Sequence, residues 1–184
     1  MSTTATAGTQ TRTTWAIDPA HTHVAFAVKH LMISTVRGRF TGVSGTVHTD
    51  ESDPAKSDVE IEIDATTIDT REPQRDGHLK SPDFLDVEKF PTLTFKSTRL
   101  TGAADQFKLT GDLTIHGVTK PVTLDVTSEG RAKDPWGGER AGFTATTVIK
   151  RGEFGLNWNQ VLEAGGFLVG DEIKITIDAE LLKK

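Results

Sequence analysis

Gln106-Phe107-Lys108-Leu109-Thr110-Gly111-Asp112-Leu113-Thr114-Ile115 changes character at every step. Phe107, Leu109, Gly111, Leu113 and Ile115 share one parity, while Lys108, Thr110, Asp112 and Thr114 take the other. Successive side chains on a strand point to opposite faces, so this alternation marks a strand with one buried and one wet face. Working outward, the same period of two recurs in Val122-Thr123-Leu124-Asp125-Val126, in Val59-Glu60-Ile61-Glu62-Ile63 and in Ile173-Lys174-Ile175-Thr176-Ile177. Val24, Phe26 and Val28 repeat it near the start of the chain. One-sided strands of this kind belong to antiparallel sheets, because parallel sheets cover both faces.

Turn chemistry separates these runs at Glu51-Ser52-Asp53-Pro54, at Thr101 to Asp105, at His116-Gly117-Val118, and in a longer loop from Ser128 to Gly138 around Asp134-Pro135-Trp136. Strands are expected at 15–18, 24–29, 37–49, 59–64, 93–100, 106–115, 119–128, 142–150 and 172–181, which makes eight or nine. Many short strands with frequent turns indicate a sandwich or a barrel. Helix is expected only over 72–87, with Ser81 capping ahead of Pro82.

Composition narrows the function. The 184 residues suit one domain, read as a disordered tail over 1–14 and an all-β domain over 15–184. Lys and Arg number 21 against 26 Asp and Glu, a net charge of −5 that argues against a protein tracking nucleic-acid phosphates. With no Cys, thiol catalysis, Cys-ligated metals and disulfide staples are excluded. No apolar run reaches the roughly 18 residues of a spanning helix. The opening Met1-Ser2-Thr3-Thr4-Ala5-Thr6-Ala7 has neither a basic start nor an apolar stretch, from which a cytoplasmic protein is expected.

Several ordered motifs carry a family resemblance. Trp15-Ala16-Ile17-Asp18-Pro19-Ala20-His21-Thr22-His23-Val24-Ala25-Phe26, Arg75-Asp76-Gly77-His78-Leu79-Lys80-Ser81-Pro82-Asp83-Phe84-Leu85, Gly111 to Lys120 and Ile149 to Leu156 stand in one register. Together they resemble the YceI-like family over 15–182. The resemblance implies an antiparallel eight-stranded lipocalin-like barrel with a short helix covering one end. It further implies a non-catalytic carrier that holds an isoprenoid-type lipid, such as a polyprenyl chain or quinone tail, in an apolar cavity. Many relatives are exported and many are dimers. For this chain a homodimer through a strand edge or the loop at 158–168 is compatible with the sequence. No cofactor is expected.

The candidate ligand-lining residues are Phe26, Val28, Phe40, Ile61, Ile63, Leu79, Phe84, Phe95, Leu113, Phe143 and Trp158. Alternation places them inside; it does not place a ligand beside them. Leu156, Trp158, Val161, Leu162, Phe167 and Leu168 are too apolar for a freely solvated loop, so they are expected to pack as a lid.

Polar constellations are weaker. His21 and His23, two apart beside Asp18, could share a face and hold zinc, but no third histidine is fixed by spacing, and a structural role is favoured. Arg75, Asp76 and His78 either orient a headgroup or fix the helix on the barrel, with the latter preferred. Arg151 and Glu153 are expected to form a solvated or strand-edge pair. No G-x-S-x-G, H-E-x-x-H, P-loop or G-x-G-x-x-G is present. The competing readings are a metal-assisted enzyme acting on an apolar substrate at the His21/His23 corner, and a ligand-free interaction module with a filled barrel.

Overall fold

A computed structural model of the chain describes residues 12–184. The tail expected over 1–14 lies outside the described residues up to position 11, and Arg12, Thr13 and Thr14 already belong to the first strand. The strands are β1 (Arg12–Ile17), β2 (His23–His30), β3 (Ser34–Phe40), β4 (Val43–Asp50), β5 (Asp58–Asp64), β6 (Ile68–Asp69), β7 (Thr92–Gly102), β8 (Gln106–Ile115), β9 (Val118–Lys133), β10 (Glu139–Lys150) and β11 (Val169–Lys183), with one helix, α1 (Pro73–Lys80).

All pairings are antiparallel. The order β1-β4-β5-β7-β8-β9-β10-β11 returns to β1, so eight strands close a barrel. β11 is long enough to serve twice. Ile17 and Trp15 pair with its far end at Leu181 and Lys183, while β2 pairs with its first half from Val169 to Asp178. β3 and β6 extend the wall beyond β2. The barrel expected from the resemblance is therefore the observed fold.

Most strand ends move by a few residues and β6 was not expected, and three larger differences from the sequence reading have physical causes. The expected strand over 37–49 is two, because the chain corners at Thr41-Gly42, where both amides donate to Thr67 Oγ1 at 3.2 and 3.0 Å. β9 continues five residues past Ser128. A bulge at Glu129 on β9, opposite Gly142 and Phe143 of β10, leaves Glu129 without a register partner, and the ladder then resumes from Gly130 to Lys133. That bulge reverses the inside–outside parity and hides the strand's continuation. The helix is shorter than 72–87. Glu72 caps it, accepting from the amides of Gln74 and Arg75, and Pro73 fills its first turn. Ser81, expected as an N-cap, closes α1 instead, and Pro82 to Phe90 form consecutive turns.

Inward-facing residues form the main core around Phe40, Val43, Ile68, Leu93, Ile115 and Phe154. A second cluster at the opposite end packs Trp15, which is 1% exposed, against Val47, Ala141 and Leu181.

Candidate functional site

Between these clusters the barrel is hollow. A cavity of about 770 Å³ runs through it, within the size range of small-molecule sites. Its wall is almost wholly apolar, built from the parity of β5, β7, β8, β9, β10 and β11 that the alternation assigned to the interior. Ile61, Ile63, Phe95, Leu113, Ile175 and Ile177 are only half-buried although they point inward, because they face this void.

Ten of the eleven side chains singled out from the sequence line the cavity, from Phe26 and Val28 on β2 to Phe143 on β10. Trp158 does not. Its ring stands edge-on to His78 at 4.7 Å and 5.3 Å from Phe84, behind the cavity wall. This aromatic trio joins α1 to the segment after β10 and shuts one end of the bore, where Leu79, Phe84 and Leu85 form the inner surface.

Arg151 fixes the same end. It is 5% exposed and donates to four carbonyls: Gly170 at 2.8 Å, Leu156 at 2.6 Å, Trp158 at 2.9 Å and Val169 at 3.3 Å. Burial lowers its guanidinium from the ordinary range, with the Asp171 carboxylate opposing. The expected solvated or strand-edge pair with Glu153 is not formed: Arg151 is buried and its donors go to backbone carbonyls. Position 151 continues the inward parity of Phe143, Ala145, Thr147 and Ile149, so its side chain enters the wall.

Arg75 and Asp76 both hold Thr70. Arg75 Nε and Nη2 donate to its hydroxyl and carbonyl, and Asp76 Oδ1 accepts from its amide and hydroxyl. They tether α1 to the strand edge and do not line the cavity. The loop expected to pack as a lid does so in part. Leu156 reaches the cavity, but Val161 and Phe167 are 77% and 55% exposed on a small protruding hairpin.

The far end is open. The lining residues that are exposed are Glu51, Pro54, Gly102, Ala103, Ala104 and Arg131, and all lie at the β4–β5 loop, the β7–β8 loop and the end of β9. Sequence reasoning missed this rim. It lies in turns, and Arg131 follows the parity-reversing bulge.

The zinc reading of the His21/His23 corner finds a different group. Asp18, His21 and Glu180 bring their ligand atoms within 4.8 Å, and His23 is not among them. Arg140 Nη1 already bridges Asp18 Oδ2 at 2.7 Å and Glu180 Oε1 at 2.6 Å, supplying the positive charge there. Asp18 is held down to about 2 by its hydrogen bonds with His21 and then Arg140.

Comparison with known proteins agrees with this geometry. The family model described as the YceI-like domain matches residues 15–181. The protein YceI of Escherichia coli O157:H7 is 45% identical over 136 residues, covering 74% of this chain and 71% of its own. Among solved structures, Burkholderia cenocepacia BcnA superposes with a TM-score of 0.77 at 24% identity, covering 89% of this chain and 98% of that one. A domain from Saccharophagus degradans, described as polyisoprenoid-binding and implicated in plant cell wall breakdown, gives 0.66 at 13% identity over 92% of this chain and 98% of its own. The last two likenesses concern the fold.

Proposed function

Since the chain belongs to the YceI-like family, we propose that it is a non-catalytic binding protein that carries a polyisoprenoid or another long-chain amphiphile, such as a quinone tail, inside its barrel. The observation that carries this reading is the hollow apolar bore, closed at one end and open at the other. The polyisoprenoid-binding description of the structurally similar domain supports the ligand class.

The physics favours an elongated hydrocarbon. An isoprenoid tail makes almost no hydrogen bonds, so its affinity comes from burial. Twelve methylene equivalents contribute about 10 kcal/mol at about 0.8 each. Association costs about 4–15 kcal/mol. Short tails therefore bind marginally and long ones well. A ten-residue strand such as β8, rising about 3.3 Å per residue and tilted about 40°, spans about 25 Å, enough to enclose a chain of several isoprene units.

The test is organic extraction of protein purified from cells, followed by mass spectrometry. The expected result is an apolar chain at close to one per protein. Protein that carries none, and also fails to take up added geranylgeraniol, overturns the reading.

A further inference from the structure

Arg131 is out of place in an apolar bore. Its register partner on β10 is Ala141, 3% exposed within the Trp15 cluster, so Arg131 shares the inward face. Its guanidinium carbon lies 5.2 Å from the centroid of the buried Trp15 ring, and Arg131 is one of the exposed lining residues at the cavity's open end. Among the described residues, Arg131 and Arg151 are the cations lining the cavity, and Arg151 is consumed by four carbonyls at the closed end.

Arg131 Nη1 donates to Glu51 Oε1 at 3.3 Å, across the mouth in the β4–β5 loop. A guanidinium carries five donors, and Glu51 takes one of them. The two side chains are 55% and 59% exposed, and exposed pairs of this kind hold weakly. The other acid of the rim, Asp50, turns its Oδ1 into its own loop, accepting from Ser52 and Asp53.

We propose that Arg131 anchors an anionic head, a phosphate or carboxylate, on the bound amphiphile, with Glu51 as the carboxylate that the head displaces. The head then sits at the mouth beside Arg131 and the tail runs inward toward Phe84. A phosphate engages the planar guanidinium with two parallel hydrogen bonds, where Glu51 makes a single long one. The inference rests on the carrier reading and assigns the ligand's direction and the charge of its head.

Two probes with one tail separate the terms: geranylgeranyl phosphate and geranylgeraniol, titrated calorimetrically into delipidated full-length protein. R131Q is expected to weaken the phosphate about tenfold to a hundredfold, the value of a charge-assisted pair, and to leave the alcohol within about twofold. E51Q removes the competing carboxylate and is expected to tighten the phosphate. Palmitate measured alongside tells carboxylate from phosphate: loss for both in R131Q means either head is accepted, and loss for the phosphate alone narrows the head to phosphate. Equal effects of R131Q on phosphate and alcohol, with both variants melting like the parent, overturn the proposal while the carrier reading stands. Failure of the parent to bind either probe overturns both.

Discussion

Replacing Arg151 by Met keeps the length and apolar stem of the side chain and removes every donor. Four carbonyls then lose a partner. Val169 O keeps the bond from Asn159 Nδ2 at 2.7 Å, which leaves Gly170, Leu156 and Trp158 short. A buried acceptor left unpaired costs about 1–3 kcal/mol. Some relaxation of the 156–160 segment toward water places the sum near the low end, about 3–5 kcal/mol. For a domain of this size each kcal/mol shifts Tm by about 2–4 °C, so a fall of about 6–20 °C is expected. The assay is urea unfolding followed by tryptophan fluorescence, alongside a thermal melt. The loss should appear as a lower midpoint, because the surface exposed on unfolding is nearly unchanged. R151K, which keeps one charged donor group without the fork, is expected to fall between the two. An R151M protein within 1 kcal/mol of the parent would refute the claim that this side chain holds the closed end.

Ala145 lines the cavity from β10, and Ala145→Phe should reduce the lipid recovered by extraction severalfold while the protein still melts cooperatively. Gly111→Val should destabilise by about 1–3 kcal/mol in denaturant, since a Cβ there meets Phe95 Cζ at 2.4 Å and the Lys96 carbonyl at 2.6 Å. Asp18 has its acid dissociation depressed to about 2 in the fold, so its contribution is complete above about pH 4 and is lost as pH falls toward 2. Asp18→Asn should therefore flatten the stability–pH curve across that window in acid titrations followed by circular dichroism.

The alternation in β5, β8, β9 and β11 made the wall legible, because one face of each strand meets the bore and the other meets water. Ile61, Ile63 and Leu113 could be placed inward on that ground alone. The void itself was not legible, since a filled and an empty barrel demand the same apolar parity. Trp158 was misjudged because an apolar loop residue can cover a cavity from behind. Arg151 was legible in principle: its parity with Ile149 pointed inward, but its charge suggested solvent. Arg131 was not, because the bulge at Glu129 shifts the period just before it.

The barrel's closure is uneven. β10 and β11 share eleven register pairs, whereas β1 and β11 meet over three, from Trp15–Lys183 to Ile17–Leu181. A cylinder stitched this way has a built-in zipper. Its backbone amides along Trp15 to Ile17 sit where opening needs the fewest broken rungs, so the stave nearest the buried indole is the one through which the wall can yield to a bulky guest.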